Sequence, residues 1–524
     1  MRFSAARCLA ITLAAVSFCV QTAGPLSAQE ADALQPVFVR FSEQLFTQGA
    51  DYKRFCIDHA DVDRSENRRM VIRRLKENAD QSWDSAAQQI EKLIDDDQIA
   101  DVARYWIVNG FACRANQNAI HQFEQDESVA FVYRLPVPFV VPLHTRPTGR
   151  QPGDPQRQIV EQVLEDWIDD TQEPVSLADI EIPWNVERIH APEAWTEEQA
   201  TGAGVTVALC DSGLMVTPSL MRALWRNPDE QFDGEDNDGN GYVDDVFGYD
   251  FGFQHWYCIG DGLRNTHGSA CGGIIAGRPL NSANLATGIA PRAKLMMLRG
   301  MGFLKAYEYA AEKNADVMSM SYMWIQKPLG DYRGLYRLAH EHLAAAGIVA
   351  VGGAGNFRTS KPAGEQIALP KDIPCVIAAA GILQNGEQAP FSSEGPCYWD
   401  GVPFYDDFPE DAPLQKPDVT GIAGGYPVWW RPAPARRQQR WELISDEGQQ
   451  IGLVIGPQGN SFSGPHAAGV AALVLSVNPE LNAWEVKQIL EETCDDLGED
   501  GWDPKYGHGL LNAAAAVRRA RETP

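Results

Sequence analysis

Three short motifs each present one residue of a type used in nucleophilic catalysis. Asp211 follows an apolar run, His267 precedes a glycine where a helical stretch begins, and Ser461 precedes a second, strongly apolar helical stretch. A carboxylate can orient an imidazole, and the imidazole can then remove the proton from a serine hydroxyl that attacks a carbonyl carbon. Taken one at a time, the motifs also fit a turn, a structural histidine and a helix N-cap.

The order of the motifs and a fourth element strengthen the catalytic interpretation. Asp, His and Ser follow each other in the order found in subtilisin. Asn356 ends a glycine-rich segment after an apolar run, and its side-chain amide can donate a hydrogen bond to a tetrahedral oxyanion. An α/β-hydrolase is excluded, because its Gly-x-Ser-x-Gly motif needs glycine where Ser463 stands and its triad runs in the order Ser, acid, His.

With these motifs the chain resembles the subtilisin-like serine peptidase family over roughly residues 182–520. Other segments similar to family landmarks are residues 184–192, 391–393, 416–419 and 506–513. The resemblance implies that Asp211 orients and supports His267, which acts first as general base and then as general acid. It also implies that Ser461 is the nucleophile and that Asn356, together with the backbone N–H of Ser461, stabilises the oxyanion.

The same resemblance assigns substrate binding to short segments near the triad. These are Ser321-Tyr322-Met323, Gly300 with Gly302, and Gly353 with Gly355. Met323 stands where the strand beside the primary pocket usually has glycine, and it would narrow or reshape that pocket. Asn460 stands where the family usually has threonine before the nucleophile. These departures concern specificity rather than the triad.

From about residue 182 onward, strand-like apolar runs alternate with helical stretches. The runs are at 205–210, 294–298, 317–321, 348–352 and 376–380, with helical stretches such as 306–313 and 332–346 between them. This alternation is typical of a parallel sheet covered by helices on both faces. We therefore expect an α/β fold with a doubly wound, mostly parallel, subtilisin-like sheet, preceded by a small α+β prodomain.

The chain begins with the features of a secretory signal peptide. Arg2 and Arg7 precede an apolar run at 9–20 that is too short for a permanent membrane span, and small residues follow up to Ala28. We therefore divide the chain into a signal peptide at 1–28, a propeptide and linker at 29–180, and a catalytic domain at 181–524. Export would place the protein outside the cell or in the periplasm, with no membrane span.

The segment between signal peptide and catalytic domain has the pattern of a small α+β unit. Strand-like runs at 36–41, 101–113 and 128–133 alternate with helical stretches at 66–95 and 116–126, and a proline-rich linker runs from Pro136 to Pro155. The resemblance implies a prosegment here that assists folding, covers the active site and is then cut off by the enzyme itself. A permanent accessory domain is the alternative.

The formal net charge of −27 limits the possible partners. An acidic surface repels nucleic acid and anionic membranes. We expect protein or peptide substrates and the protein's own propeptide as partners, and no nucleic acid.

One acidic loop fits a metal site. Asp236, Asp238, Asn240 and Asp244 offer oxygen atoms at alternating places, as in the first half of an EF-hand loop, but Phe247 stands where the bidentate acid is needed. A structural Ca²⁺ site and a solvated acidic turn therefore both fit. The resemblance favours Ca²⁺, which members of the family often carry.

The cysteines make disulfides possible in an exported protein. Eight of the ten cysteines follow the predicted signal peptide, and their pairing cannot be deduced from the sequence. Cys56 and Cys113 could brace the N-terminal unit. Cys271 lies four residues after His267 on the same helix face, so we expect a free thiol against the imidazole, with a disulfide as the alternative.

Two classes of function remain after these arguments. The first is an active, self-processed serine endopeptidase. The second is a catalytically silent subtilisin fold used for binding, which the altered pocket at Met323 alone supports. Zinc and thioredoxin-type chemistry have no support, because the sequence has neither a His-Glu-x-x-His nor a Cys-x-x-Cys motif.

Overall fold

A computed structural model describes most of the chain. The described residues are 33–134, 155–167, 169, 181–215, 217–260, 266–278, 288–325, 329–426, 428–430, 440–444, 450–455 and 457–524. The predicted signal peptide and all but the last residue of the predicted linker at 136–155 lie outside these ranges. None of the helices in the described ranges combines the length and the apolar character that crossing a membrane requires.

Residues 33–134 form a small α+β unit. Its strands are β1 (Gln35–Phe41), β2 (Ile99–Tyr105), β3 (Gly110–Ala115) and β4 (Val129–Arg134), and its helices are α1 (Asp51–Asp58), α2 (Arg64–Asp95) and α3 (Gln117–Gln125). The strands pair antiparallel in the order β2-β3-β1-β4. The prediction of one strand at 101–113 is wrong: the chain turns between β2 and β3, where Asn109 adopts a positive φ of 38°.

The possible disulfide between Cys56 and Cys113 does not form. Cys56 packs into the large core that the N-terminal unit shares with the rest of the chain, whereas Cys113 lies in a separate core with Val37, Ile90 and Phe123. All eight cysteines in the described residues are unpaired.

A seven-stranded sheet forms the centre of the second unit. Its strands are β5 (Thr206–Asp211), β7 (Gly248–Asp250), β9 (Lys294–Arg299), β10 (Val317–Met320), β11 (Val349–Gly353), β12 (Ile377–Ile382) and β13 (Val419–Ile422). They lie in the order β13-β12-β11-β10-β5-β9-β7, and every neighbouring pair is parallel. The predicted fold class, a doubly wound parallel sheet after a small α+β unit, is confirmed.

Helices and small sheets surround this parallel sheet. The helices are α4 (Pro155–Asp166), α5 (Trp184–Arg188), α6 (Ala191–Thr196), α7 (Pro218–Met221), α8 (Thr266–Ala276), α9 (Leu304–Glu312), α10 (Tyr332–Ala345), α11 (Asn460–Val477), α12 (Ala483–Glu492) and α13 (Ala513–Glu522). The remaining strands are β6 (Leu214–Met215), β8 (Ile259–Gly260), β14 (Val428–Trp430), β15 (Arg440–Ile444) and β16 (Gln450–Ile455). Strands β6 and β8 pair parallel, and β14, β16 and β15 form an antiparallel sheet.

Helix α4 was not predicted, because its position was assigned to the propeptide and linker segment. It packs against the second unit, since Val160 and Val163 are buried in the shared core and Nε1 of Trp167 donates to the carbonyl oxygen of Leu224 at 3.0 Å.

Glycines bring the start of α11 onto the end of β11. A Cβ atom at Gly353 would lie 1.8 Å from the carbonyl oxygen of Asn460, and one at Gly464 would lie 2.5 Å from the backbone nitrogen of Gly353. Any side chain at these two positions would force the helix away from the sheet. The close approach places the first turn of α11 beside the carboxyl ends of the parallel strands.

The N-terminal unit docks on α10 through polar side chains of α2. Nδ2 of Asn67 donates to the carbonyl oxygen of Ala345 at 2.9 Å, and Nε of Arg68 donates to that of Ala346 at 2.9 Å. Nη2 of Arg64 donates to the carbonyl oxygen of Gly347 at 2.7 Å. These donors satisfy carbonyl groups that the end of a helix leaves without partners.

Candidate active site

The carboxylate and the imidazole predicted to act together are hydrogen-bonded. Asp211 is the last residue of β5 and is 1% exposed, and Nδ1 of His267 lies 2.8 and 2.9 Å from its two carboxylate oxygens. A glycine after the histidine permits this contact, because a Cβ at Gly268 would lie 2.4 Å from the carbonyl oxygen of Gly213. Burial alone would raise the pKa of Asp211, but His267 and the N–H of Ser212 lower it, so the group stays a carboxylate.

A buried thiol lies against the imidazole, as the position of Cys271 on α8 predicted. Its Sγ is 3.9 Å from Nδ1 of His267, and the cysteine is unpaired. Burial opposes the charged form of His267, but Cys271 and Asp211 outweigh burial and raise its pKa. Burial and the charge of Asp211 raise the pKa of the Cys271 thiol, although His267 opposes that shift.

Ser461 is the second residue of α11 and lies beside this pair. Sγ of Cys271 is 3.5 Å from the carbonyl oxygen of Ser461, and the ring centroids of Phe462 and His267 are 5.4 Å apart. No hydrogen bond joins the Ser461 hydroxyl to His267, both of which the structure describes; Oγ instead lies 3.4 Å from the carbonyl oxygen of Ser321. Catalytic hydrogen bonds are often long or misaligned in free enzymes.

Asn356 lies next to the start of α11. Its Oδ1 accepts a hydrogen bond from the backbone N–H of Asn460 at 2.7 Å. Because Oδ1 is used in this way, Nδ2 is left to donate elsewhere, and it lies 3.3 Å from where a Cβ at Gly459 would be. Gly459 adopts a φ of 141° and leaves this space open. The backbone nitrogen of Ser461 lies 3.8 Å from the same point, so the geometry fits an amide donor near the backbone N–H of Ser461.

The predicted substrate-binding segments lie near the candidate triad, and aromatic side chains pack against two of them. Oγ of Ser321 donates to the carbonyl oxygen of Ser461 at 2.7 Å, and the hydroxyl of Tyr322 lies 2.7 Å from that of Tyr307. The ring of Trp324 covers Gly302, where a Cβ would lie 2.0 Å from its Cζ2.

The other substrate-binding candidates have conformational or packing roles in addition. Gly300 and Gly355 adopt φ values of 123° and 115°, which favour glycine, and Gly353 is the glycine that contacts α11. Met323 is half-buried and packs against the main core.

In the acidic loop, two of the four predicted residues, Asp236 and Asp238, lie together, and Glu230 joins them. Carboxylate oxygens of Glu230, Asp236 and Asp238 all lie within 4.8 Å of one another. Asn240 turns away, because its Nδ2 donates to Asp245 at 2.9 Å and its Oδ1 accepts the N–H of Tyr242. Asp244 accepts the N–H of Gly234 at 2.8 Å and faces Arg157 at 3.6 Å.

Glu230 has one buried oxygen without a partner. The residue is 2% exposed, and its Oε1 makes no hydrogen bond within the described residues. Burial and the neighbouring Asp245 raise its pKa to about 7. A divalent cation would satisfy this oxygen, and oxygen atoms are the ligands that Ca²⁺ prefers.

Fold and site together define an α/β protein with a candidate Asp-His-Ser site at the carboxyl end of a parallel sheet. Residues 202–509 match the Subtilase family, so the chain belongs to this family and the predicted serine peptidase family is confirmed. The chain is 30% identical to a calcium-dependent protease of Trichormus variabilis over 297 residues, which are 49% of this chain and 40% of that protein.

Two further relatives cover more of this chain. Bacillopeptidase F of Bacillus subtilis is 25% identical over 472 residues, which are 86% of this chain and 29% of the relative. Subtilisin E of Bacillus subtilis is 26% identical over 346 residues, which are 64% of this chain and 71% of the relative. The chain thus matches less than half the length of the calcium-dependent protease and of bacillopeptidase F.

Sequence reasoning missed two residues around the site. Lys371 lies beside the predicted substrate segments, and Glu230 completes the acidic cluster. Glu230 carried one signal, since it is an acid six residues before Asp236. Lys371 carried none, because its burial follows only from the packing of distant segments.

Proposed function

We propose that this protein is a serine endopeptidase that hydrolyses peptide bonds in protein or peptide substrates. The observation that supports this most strongly is the contact of His267 with both oxygens of the buried Asp211, next to the first turn of α11 that carries Ser461. Asp211, His267 and Ser461 are the proposed triad, and Asn356 is the proposed oxyanion donor.

In the proposed mechanism each of these residues carries one step. Nδ1–H of His267 donates to Asp211, so Nε2 is free to accept the proton of Ser461 when the hydroxyl turns away from Ser321. Oγ then attacks the peptide carbonyl carbon, and the oxyanion accepts hydrogen bonds from the N–H of Ser461 and from Nδ2 of Asn356.

Collapse of this intermediate breaks the C–N bond. The imidazolium of His267 gives its proton to the leaving amine, and an acyl ester remains on Ser461. Water then attacks the ester with His267 again as general base, which releases the acid and restores the serine hydroxyl.

We also propose that the enzyme is exported and made as a precursor that cuts itself. Residues 29–180 would be the propeptide and linker, and residues 181–524 the catalytic domain. The docking of α2 on α10 supports a folding role for the N-terminal unit, since it satisfies the end of a helix that packs beside the parallel sheet. Retention as a permanent accessory domain is the alternative.

A structural Ca²⁺ ion fits the cluster of Glu230, Asp236 and Asp238. The partnerless, buried Oε1 of Glu230 supports this site, and bound Ca²⁺ would neutralise the carboxylates and stabilise the loop. We assign the ion no part in the chemical steps.

A fluorophosphonate probe tests the proposed activity. The full-length protein should be labelled on Ser461 and should cleave a peptide substrate, whereas the Ser461→Ala protein should do neither. Ser476→Ala is the matched control, because Ser476 lies near the far end of the same helix, and this variant should be labelled like the wild type. A folded wild-type protein without labelling and without hydrolysis would favour the silent binding fold instead.

A further inference from the structure

A lysine lies buried directly behind the segments predicted to form the primary substrate pocket. Lys371 is 1% exposed, and its ammonium donates a hydrogen bond to the carbonyl oxygen of Tyr322 and lies 4.8 Å from the centroid of the Tyr322 ring. On the other side it fills the space beside Gly352, where a Cβ would lie 2.1 Å from Cε and 3.0 Å from Nζ of Lys371. The ammonium is therefore held between the 321–323 segment and the end of β11.

This ammonium has no carboxylate partner within salt-bridge distance among the described residues. The adjacent Asp372 turns away and pairs with Arg333 at 2.8 Å. An ammonium has three N–H donors, and the carbonyl of Tyr322 accepts one of them. Burial lowers the pKa of Lys371 to about 7, although Asp372, Cys210 and Asp211 oppose the shift.

The other buried lysines in the described ranges are paired. Lys294 lies 3.6 Å from Asp169, Lys416 lies 2.7 Å from Asp418, and Lys487 pairs with Asp418 and Glu491. An unpaired buried charge is unfavourable, so a structural lysine normally keeps a carboxylate beside it. Lys371 differs from the others in that its ammonium has no such carboxylate among the described residues and lies against the substrate segments.

We propose that Lys371 selects substrates with an acidic side chain, glutamate or aspartate, at the residue that supplies the scissile carbonyl group. This inference rests on the proposed peptidase function. That side chain enters between Ser321-Tyr322-Met323 on one side and Gly352-Gly353 on the other, and its carboxylate would supply the missing acceptor for the ammonium. A basic side chain is repelled there, and an apolar or amide side chain leaves the charge unpaired.

The proposal is tested with peptides that differ only at the residue that supplies the scissile carbonyl group. The enzyme is produced from the full-length chain and is allowed to process itself. The informative pair is glutamate against glutamine, because the two have the same shape and differ in charge. We expect kcat/KM to be at least about tenfold higher for glutamate, in keeping with the coupling of close charge pairs. The Lys371→Met variant should bring the ratio to about one, whereas the matched control Lys505→Met, at an exposed position, should leave it unchanged.

Labelling of Ser461 by a fluorophosphonate, measured in the same samples, separates the two hypotheses. An enzyme that is labelled but cleaves glutamine or leucine peptides as well as glutamate peptides overturns this inference and leaves the peptidase proposal intact. An equal loss for every peptide in Lys371→Met also overturns it, because Lys371 would then only hold Tyr322 in place. The wild-type ratio decides the matter even where a variant fails to fold, and a protein with neither labelling nor hydrolysis overturns both hypotheses.

Discussion

The orientation of one amide decides whether the proposed oxyanion site works. Asn460 replaces the expected threonine, and its backbone N–H fixes Oδ1 of Asn356. The side chain of Asn460 is itself held, since Nδ2 donates to the carbonyl oxygen of Gly355 at 2.8 Å and to Oγ of Ser392 at 3.0 Å. The departure at residue 460 therefore ties the oxyanion donor segment to the helix of the nucleophile.

Replacing Asn356 should separate catalysis from folding. We expect Asn356→Ala to lower kcat by about 10²–10³-fold, the usual effect of losing one oxyanion donor, because an exposed side chain is removed and the fold keeps its core. Asn356→Asp is the sharper variant, since it keeps an acceptor for the N–H of Asn460 but loses the donor, and it should be impaired at least as strongly. Steady-state kinetics with one peptide, beside melting curves, test this. Unchanged turnover in both variants would remove Asn356 from the mechanism.

Residue type and local position were enough to find the candidate triad in the sequence. Contacts between residues far apart in the chain could not be predicted in this way. Asp211 and Ser461 stand at the end of an apolar strand and the start of an apolar helix, which are features visible in the sequence. The role of Asn460 depends on partners 68 to 105 residues away in the chain. The role of Lys371 depends on a partner 49 residues away. No local pattern records such contacts.

Among the elements, five of the seven parallel strands were predicted to within about two residues, and the irregular connections were not. Continuous apolar runs mark buried strands, so β5, β9, β10, β11 and β12 followed from the sequence. The strands β7 and β13 are only three and four residues long, and the antiparallel sheet of β14, β16 and β15 was not predicted, although β16 contains the apolar run 451–455. The acidic loop between α7 and β7 was also predicted only in part. Asp236 and Asp238 were identified from the sequence, but their partner Glu230, which lies outside the predicted loop, was not.

Calcium should stabilise this loop and with it the protein. A ligand that binds only the native state raises the free energy of unfolding, by about 3 kcal/mol at a hundred times its Kd. We expect the melting temperature to be higher in millimolar Ca²⁺ than in EDTA, and Glu230→Gln with Asp238→Asn to abolish the difference.

Asp233→Asn is the matched control for calcium binding. It removes an exposed acid from the same loop that lies outside the cluster of three, so its response to calcium should remain. Equal melting temperatures of the wild type in Ca²⁺ and EDTA would show that the loop is a solvated turn.

At the scale of the whole molecule, the N-terminal unit and the rest of the chain share one core. Phe38, Phe46 and Val71 belong to the same buried cluster as residues of the parallel sheet. Buried charges also cross the boundary, because Arg64 lies 3.0 Å and Arg68 3.6 Å from Asp316, whose Oδ2 accepts the N–H of Thr206 at the start of β5. A parallel sheet forms slowly from contacts distant in sequence, and a partner that caps α10 and pairs Asp316 favours its closure.

The arginines of α2 should therefore matter for folding far from the candidate triad. The test uses a Ser461→Ala background, which we expect to stay uncut after export. Arg64→Ala with Arg68→Ala removes the two positive partners that Asp316 has among the described residues, and it removes these donors from the carbonyl groups of residues 346 and 347. Breaking a buried pair in this way costs about 3–5 kcal/mol, so the melting temperature and the secreted yield should both fall. Arg74→Ala, at an exposed position of the same helix, is the control and should behave like the parent. If the double variant melts with its parent, the N-terminal unit does not act on the sheet through these residues. A Ser461→Ala protein that is still cut between residues 136 and 184 would show that processing is the work of another protease.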